Sequence, residues 1–187
     1  RAEMMKTPTS PKELFAILSH RHSILLEGRP HMNPGIFKTK NNRAGMTEFV
    51  DYQLVKGTLS QGFKYYAALT DPFARAIFMM FMISEVHPFN DGNGRVARVM
   101  MNAELVRADQ SRIIVPTVFR EDYILALRKL TRHKDPLAYI NVMTKLHQFS
   151  DNLYGTDFTE LKNYLATCNA YEEPSQAKLQ IIDRSIL

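Results

Sequence analysis

Cysteine is almost absent from this sequence of 187 residues, which contains a single one, Cys168. A lone thiol excludes an internal disulfide bond and a thiolate metal cluster within the chain. Long hydrophobic runs are missing as well: the longest, residues 76–83, is less than half of the roughly 20 apolar residues that a helix needs to cross a bilayer. No charged and then apolar leader opens the given sequence, so we expect a cytoplasmic protein.

Neither sign of charge is concentrated in one region. The chain has 24 lysine and arginine residues against 19 aspartate and glutamate residues, a net charge of +5, and the basic residues are scattered. This distribution does not indicate binding to nucleic acid, whereas the excess suits anionic partners such as nucleotide phosphates. With 45% hydrophobic and 23% charged residues, the composition predicts a packed globular domain rather than a disordered or fibrous chain.

Apolar residues at helical spacing, together with helix-start and helix-stop signals, predict a mainly α fold. Ser10, Pro11 and Glu13 are typical of a helix start, with Ser10 as the N-cap and Glu13 completing a capping box. Gly28 is expected to end that helix. The other predicted helices cover about residues 53–69, 72–86, 94–108, 121–132, 136–148, 156–170 and 175–183.

The predicted helix over residues 72–86 is apolar on nearly every side, which is typical of a central helix buried by its neighbours. Asp71 is its expected N-cap, and Met79, Met80 and Met82 are expected to fill the core. In the preceding helix, the residues expected on the inner side are Leu54, Leu59, Phe63 and Tyr66.

One β-hairpin interrupts the helical pattern. Turn-forming residues at 33–35 and 41–45 flank two short segments of strand-forming residues, 36–39 and 46–50. This is the only convincing hairpin signal in the sequence, so the expected fold is a helical bundle with a small hairpin inserted early.

The residues that carry chemistry lie between the two central helices, where the sequence reads HPFNDGNGR and Arg98 follows. Gly92 and Gly94 permit positive φ angles and expose N–H groups, which form an anion site together with the free donors of the next helix. Arg95 and Arg98 lie one helical turn apart and face the same anion with forked donors.

Two further residues of this loop complete a reactive set. Asp91 supplies a hard oxygen ligand of the kind that Mg²⁺ prefers, and His87 has a pKa suited to accepting a proton near neutral pH. An anion site, a metal carboxylate and a base within twelve residues predict phosphoryl or nucleotidyl transfer. The simpler alternative is an ordinary turn, with Asn93 as an N-cap and His87 bonded to a helix-end carbonyl, which leaves both arginines unexplained.

The stretch HPFNDGNGRVAR resembles the signature of the Fic (filamentation induced by cAMP) family of protein adenylyltransferases, and the signature is complete. The resemblance extends over about residues 33–149. It implies a Fic-type helical bundle with a small β-hairpin flap over the active-site loop. On this basis we expect a Fic domain over residues 1–150 and a helical extension over residues 151–187.

The resemblance implies that the protein transfers AMP from ATP to a Ser, Thr or Tyr hydroxyl of a target protein and releases pyrophosphate. His87 would then be the general base, and Asp91 would hold the Mg²⁺ that bridges the α- and β-phosphates. Arg95 would bind the β- and γ-phosphates, and Arg98 would reach the γ-phosphate. The residues that cradle the phosphates by backbone donors, with the Asn93 amide in addition, would be Gly92, Asn93 and Gly94.

The same resemblance makes the predicted hairpin a flap that aligns an extended target segment by main-chain pairing. The target-docking residues would be Gly35, Ile36, Phe37, Lys38, Thr47, Glu48 and Phe49. Lys38 stands where the family often has arginine, which leaves the details of docking open, and a hairpin that merely covers the core is the alternative. Tyr123 would line the adenine pocket, or else be an ordinary buried aromatic residue in a helix.

Two further patterns are less specific. Ser23, Glu27 and Gly28 match the family's inhibitory motif, in which the glutamate pairs with the second arginine of the signature; alternatively, Gly28 is a helix C-cap and Glu27 a surface carboxylate. His20 and His22 point to different sides of a helix, so we expect them at the surface rather than on a metal ion.

Two alternatives remain open for the activity. One keeps the site but changes the transferred group to phosphocholine or phosphate, or removes AMP from targets. The other is a nucleotide-sensing or partner-binding module with little turnover, which has no need of His87. The expected partners are a target protein docked on the flap, the chain itself as a target of AMP transfer, and an inhibitory helix in cis or from another protein. Neither nucleic acid nor a membrane is expected as a partner.

Overall fold

The structure is a computed structural model that describes residues 2–184. The chain forms two compact units, residues 1–110 and residues 111–187. Helices dominate both units, which confirms the mainly α fold expected from the sequence. None of the helices within residues 2–184 combines the length and the apolar character that crossing a bilayer demands.

The first unit is built from helices and one hairpin. Its α-helices are α1 (Pro11–Leu25), α2 (Val55–Ala68), α3 (Pro72–Val86) and α4 (Asn93–Arg107), and its antiparallel strands are β1 (Arg43–Ala44) and β2 (Thr47–Glu48). Short 3-10 turns lie at Glu3–Met5, Pro30–Met32 and Tyr52–Leu54. In chain order, the hairpin therefore stands between the first two helices, as predicted.

The centre of the first unit is the pair α3–α4, whose helices pack against each other, with α1 and α2 beside them. Met79, Met80 and Ile83 on α3 are completely buried, and so are Val96 and Met101 on α4. Removing one such side chain from water stabilises the fold by roughly 1.5–3 kcal/mol. The prediction of a central, methionine-rich helix over residues 72–86 is confirmed.

The predicted N-caps of α1 and α3 are confirmed, but one part of the predicted capping box of α1 is not. Asp71 Oδ1 accepts a hydrogen bond from the Ala74 N–H at 2.7 Å and caps α3, and Ser10 Oγ accepts one from the Glu13 N–H at 3.2 Å and caps α1. The second half of the predicted capping box is wrong. The Glu13 carboxylate binds Thr9, because Thr9 offers both its N–H and its hydroxyl to one carboxylate oxygen.

Two boundaries in the first unit also differ from the prediction. α1 ends at Leu25 with Leu26 rather than Gly28 as its C-cap, because Leu26 is buried and its N–H closes the last turn. α2 begins at Val55, which is buried, whereas Leu54, expected on the inner side, is 61% exposed. Leu54 belongs to a separate 3-10 turn, whose different winding rotates it away from the core.

The hairpin is shorter than predicted. The expected strand over residues 36–39 does not form, and the turn between β1 and β2 is made by Gly45 with a φ of +58°. The Lys38 N–H donates instead to Pro88 O at 2.8 Å. Because that donor binds the loop after α3, residues 36–39 are part of the support for this loop and not of the hairpin.

The second unit, described over residues 111–184, contains three α-helices. They are α5 (Arg120–His133), α6 (Pro136–Asp151) and α7 (Phe158–Thr167). α5 and α6 pack against each other, and Phe149, Tyr164 and Cys168 form a buried cluster. These helices confirm three of the predicted ones, with α7 shorter than expected. The predicted domain boundary at residue 150 falls near the end of α6 and stays a prediction.

The helix predicted over residues 175–183 is wrong. After a turn, the chain there runs without helical hydrogen bonds. The Gln180 N–H donates to Cys168 O at 3.1 Å, and the Tyr164 hydroxyl donates to Ile182 O at 2.7 Å. The backbone of this segment is thus satisfied by α7 and the residues that follow it, which competes with helix formation.

Candidate active site

The loop over residues 87–92 joins α3 to α4 through left-handed backbone conformations at both ends. His87 has a φ of +50° and Gly92 a φ of +74°. A Cβ added to Gly92 would lie 2.7 Å from Leu26 Cδ2, so both the backbone angle and the space require glycine there. Gly94 lies in the first turn of α4 without a positive φ, so of these two glycines only Gly92 adopts the left-handed conformation that both permit.

Asn93 closes the loop through its amide. Its Oδ1 accepts from the Phe89 N–H and its Nδ2 donates to Phe89 O, each at 2.8 Å, and the side chain is buried. The N-cap of α4 is Gly92, so the alternative of an ordinary turn with Asn93 as the N-cap does not hold. The amide nitrogen of Asn93 carries a second N–H, and its contribution to the phosphate site stays a prediction.

Phe89 anchors the loop in the core by packing against a histidine. It is completely buried, and its ring stacks on His22 with centroids 3.8 Å apart. His22 Nδ1 accepts from the Gly35 N–H, so Nε2 carries the proton and donates to Asp91 O at 2.9 Å. Burial lowers the pKa of His22, which keeps the ring neutral.

The prediction that His22 lies at the surface is therefore wrong, whereas His20 is exposed as expected. Leu14, Leu18 and His22 follow one another at four-residue intervals on α1, and all three are completely buried. That spacing is the signal in the sequence that places His22 on the inner face of the helix.

His87 is held in the tautomer that a general base requires. Its Nδ1 lies 3.1 Å from Ser84 O, and because a carbonyl oxygen only accepts, Nδ1 carries the proton and Nε2 the lone pair. Within residues 2–184, Nε2 has no hydrogen-bond partner. Burial, reinforced by the charge of Lys38, lowers the pKa of His87 below its ordinary value of 6.5, so the imidazole is neutral at pH 7.

Phe49 covers the imidazole of His87. The two rings are nearly parallel, at 7°, with centroids 3.6 Å apart. Phe49 was expected among the target-docking residues, and nothing in the sequence links it to residue 87. The stacked ring limits the orientations of the imidazole and removes water from one of its faces.

Asp91 forms the charged part of the loop. Its Oδ1 accepts from the Gly92 N–H at 2.7 Å, and its Oδ2 lies 2.9 Å from Arg29 Nη1 and 3.4 Å from Arg95 Nη2. The Gly92 N–H, followed by the charges of Arg95 and Arg29, lowers the pKa of Asp91. Arg29 was not identified from the sequence, because it lies in the segment after α1, far from the loop along the chain.

A divalent ion would find one protein ligand in this loop. Within residues 2–184, no group of three or more histidine, cysteine, aspartate or glutamate side chains is arranged to hold a metal. Mg²⁺ is commonly held by one or two carboxylates together with water and substrate phosphates. The ionised and partly exposed Asp91 carboxylate fits that kind of site.

The start of α4 offers donors to an anion. The N–H groups of Arg95 and Val96 already bind Gly92 O at 3.0 Å, whereas within residues 2–184 those of Asn93 and Gly94 have no acceptor. In the same part of the chain, the exposed Arg98 forms no ion pair. Free N–H groups at the positive end of a helix, together with a free guanidinium, favour the binding of phosphate.

The other expected site residues fall into separate places. Gly35 and Lys38 are bound beneath the loop, Ile36 is 59% exposed, and Thr47 and Glu48 form β2. The expected flap is therefore divided into a supporting segment and a short hairpin. Whether this hairpin docks a target stays a prediction.

The candidate inhibitory motif lies at the end of α1. The Ser23 hydroxyl donates to His20 O, and Glu27 and Gly28 are exposed beyond the helix. Within residues 2–184, Glu27 forms no ion pair with Arg98, so its inhibitory role stays a prediction. Tyr123 is a buried residue of α5 in the second unit, and its role in adenine binding also stays a prediction.

Comparison with known sequences points to one family. A protein-family sequence model described as "Fic/DOC family" matches residues 12–105 of this chain. Protein adenylyltransferase fic-1 of Caenorhabditis elegans is 39% identical over 110 residues, which make up 58% of this chain and 22% of that protein. A Fido domain-containing protein of Dictyostelium discoideum is 27% identical over 107 residues, 54% of this chain and 75% of that protein. The chain spans about a fifth of the length of the nematode relative.

Solved structures agree with the fold. A segment of Fic-1 from C. elegans superimposes with a TM-score of 0.63 at 20% identity, covering 83% of this chain and 44% of that one. A Fic domain-containing signaling protein from Bacteroides thetaiotaomicron gives a TM-score of 0.64 at 17% identity, covering 71% of this chain and 58% of that one. The expected Fic-type helical fold is thereby confirmed.

Proposed function

The chain belongs to the Fic/DOC family, and we propose that it transfers AMP from ATP to a serine, threonine or tyrosine hydroxyl of a target protein and releases pyrophosphate. The observation that carries this proposal is the unpartnered Nε2 of a neutral His87 on the loop that leads to the free N–H groups at the start of α4. Relatives named protein adenylyltransferase support AMP as the transferred group and ATP as its donor.

In the proposed reaction, His87 Nε2 accepts the proton of the target hydroxyl while the hydroxyl oxygen attacks the α-phosphorus of ATP. A bond forms between that oxygen and the α-phosphorus, and the bond from the α-phosphorus to the oxygen that bridges to the β-phosphate breaks. Pyrophosphate leaves with the electron pair of the broken bond. The Ser84 carbonyl assists by keeping the proton of the neutral ring on Nδ1.

The start of α4 stabilises the leaving group in this proposal. The free N–H groups of Asn93 and Gly94 and the positive end of α4 attract the phosphate oxygens. Arg98 is exposed, and its side chain extends towards Gly94. Its Nη1 lies 3.8 Å from the position that a Cβ on Gly94 would occupy. Arg95 adds a second guanidinium on the adjacent turn, held only weakly at 3.4 Å from Asp91.

A magnesium ion that arrives with the nucleotide would be held by the Asp91 carboxylate, and it would neutralise charge on the phosphate oxygens. The low pKa of Asp91 supports this role, because only the ionised carboxylate is a good ligand. Arg29 and Arg95 share Oδ2 of that carboxylate, so they keep a positive charge beside Asp91 before the ion binds.

The target is proposed to dock on the hairpin. Both strands of a two-stranded hairpin have an outer edge, which can pair with an extended segment of another protein. Phe49 follows β2 directly and stacks on His87. The edge of β2 therefore lies close to the base, with only Phe49 between them. A segment paired with this edge would bring its hydroxyl to the imidazole.

Two labelled nucleotides test the proposal. The purified chain is incubated with Mg²⁺ and a protein extract in the presence of ATP labelled at the α- or at the γ-phosphate. We expect protein-bound label from α-labelled ATP only. The His87→Ala variant should lose about 10²- to 10⁴-fold in the labelling rate, while its affinity for ATP, measured by equilibrium dialysis, changes less than about threefold.

The exposed His31 provides a matched control, and His31→Ala should label like the wild type. Retention of γ-label would contradict AMP transfer and support transfer of a phosphate group. Binding of ATP without any labelling would support a nucleotide-sensing module. Equal labelling by wild type and His87→Ala would remove His87 from the mechanism.

A further inference from the structure

Lys38 is a buried lysine with few partners for its charge. Its side chain is 3% exposed, and Nζ donates to Asn42 Oδ1 at 2.7 Å and to Val86 O at 3.4 Å. Within residues 2–184 no carboxylate forms an ion pair with it, and Asp51 acts on it at longer range. Burying an ammonium group is unfavourable without compensation. Here the compensation includes the carbonyl end of α3, which is the negative end of the helix dipole.

Asn42 connects Lys38 to the loop that carries the base. Its Nδ2 donates to Phe89 O at 2.9 Å and to His87 O at 3.3 Å, while its Oδ1 accepts from Lys38. Its backbone O accepts from the Phe49 N–H at 3.3 Å. Both residues therefore bind backbone carbonyls at or next to His87. Asn42 also binds the backbone of Phe49, the residue that covers the His87 ring.

We infer that Lys38 and Asn42 are positioning residues for the general base, which hold His87 in its left-handed conformation and its ring against Phe49; this inference rests on the proposed function. A positive φ is uncommon for a residue other than glycine, and the surrounding contacts must maintain it. The bonds from Lys38 and Asn42 to the carbonyls of residues 86, 87 and 89 supply such contacts on both sides of His87.

The charge of Lys38 has a second effect on the base. It disfavours the imidazolium and adds to the effect of burial in lowering the pKa of His87. Asp91, from the loop, acts in the opposite sense. Ser84 of α3 and Phe49 beside the hairpin, which also contact the ring, carry no charge. Loss of the Lys38 charge should therefore raise the pKa of His87.

The test compares Lys38→Met, which keeps an unbranched side chain one atom shorter and removes the charge, with Lys38→Arg, which keeps the charge. ¹⁵N-histidine NMR titration of the nucleotide-free chain follows His87, whose signal is assigned by its loss in His87→Ala. We expect Lys38→Met to raise the pKa of His87 and Lys38→Arg to leave it close to the wild type.

AMP transfer provides the second readout. For Lys38→Met we expect kcat to fall about tenfold, with KM for ATP changed less than about twofold, because the base moves and the phosphate donors do not. Lys38→Arg should restore most of that loss. Asn42→Ala separates position from charge: we expect a roughly five- to tenfold lower kcat with an unchanged pKa of His87.

An unchanged kcat and an unchanged pKa of His87 in Lys38→Met would overturn the inference, and so would a wild-type His87 that titrates above 6.5. If Lys38→Met does not fold, as judged by circular dichroism, the wild-type titration and Asn42→Ala decide the matter. A wild-type chain that transfers no AMP would overturn the proposed function, whereas the NMR titration needs no nucleotide and decides the inference separately.

Discussion

Each end of the α3–α4 pair carries acidic and basic side chains. The two ends differ in how many of these groups have hydrogen-bond or ion-pair partners. At the end away from the loop, Glu104 is 4% exposed and accepts from the Tyr66 hydroxyl at 2.6 Å and from Arg75 Nε at 3.0 Å. Arg75 also donates to Leu69 O, and burial, followed by the Glu104 carboxylate, raises the pKa of Tyr66. A cleft of about 630 Å³ borders this cluster, yet the acid, the phenol and the guanidinium already bind one another.

At the loop end, several groups are left without partners. Within residues 2–184, Nε2 of His87, the N–H groups of Asn93 and Gly94 and the Arg98 guanidinium have no hydrogen-bond or ion-pair partner. Acids, bases and arginines beside a cleft therefore do not by themselves identify a reactive site. What distinguishes the loop is that its groups are held in place by neighbours while their reactive atoms stay open.

Substitution at the end of the α3–α4 pair away from the loop should cause the greatest loss of stability. Glu104→Ala should lower the free energy of unfolding by about 3 kcal/mol, because it leaves the buried Tyr66 hydroxyl without its acceptor and the partly buried Arg75 guanidinium without its carboxylate. Urea unfolding measures this loss. The exposed Glu27 provides the control, and Glu27→Ala should change the stability by less than about 0.5 kcal/mol. A loss below about 1 kcal/mol for Glu104→Ala would show that this cluster is not structural.

A smaller loss of stability is expected from a change in the backbone of the loop between α3 and α4. Gly92→Ala should lower the free energy of unfolding by about 2 kcal/mol, because alanine disfavours a φ of +74° and its Cβ would meet Leu26. The control is Gly57 in α2, where an added Cβ meets nothing within 4 Å. Gly57→Ala should raise stability by about 0.5–1 kcal/mol. Equal effects of the two substitutions would contradict the assigned strain.

A smaller effect concerns the ring that covers the base. Phe49→Leu removes an aromatic contact worth about 0.5–1.5 kcal/mol, so kcat for AMP transfer should fall roughly two- to tenfold with little change in KM for ATP. Phe49→Tyr keeps the stacked ring and should retain most of the activity. Loss of activity in Phe49→Tyr but not in Phe49→Leu would argue that Phe49 serves target docking alone.

The smallest effect is the pH dependence of the wild type. The base must be neutral, so kcat/KM falls as the pH drops through the pKa of His87. Because that pKa is lower than 6.5, the acid limb should have its midpoint below pH 6.5, and more than half of the maximal rate should remain at pH 6.5. A pH–rate profile measures this. A midpoint above pH 6.5 would mean that the imidazole is not shielded as the structure shows.

Part of this site is predictable from the sequence because it is local. The chain itself places His87, Asp91 and Arg98 in one loop and the start of one helix, and the residues that permit such a loop are read directly from the pattern. The central helices are equally accessible, since the caps at Ser10 and Asp71 act within one turn. The Fic-type fold was expected from the resemblance of this loop to the family's signature.

The errors have a common physical origin. Residues 36–39 have the composition of a strand, but their backbone binds the loop after α3 rather than the hairpin. His22 was expected at the surface because it and His20 point to different sides of a helix, but His22 continues the buried face of α1 and binds the Asp91 carbonyl and the Gly35 N–H. In each case a tertiary partner satisfies a polar group that local rules assign elsewhere.

The order of the residues alone places the reactive groups in one loop, because twelve consecutive residues stay together in any fold. The distant residues that hold those groups reach them only through folding: Arg29 on Asp91, His22 under Phe89, and Lys38 and Asn42 on the carbonyls around His87. These partners come from α1 and from the segment before the hairpin. Their approach depends on how the helices pack, and neither composition nor periodicity encodes that packing residue by residue.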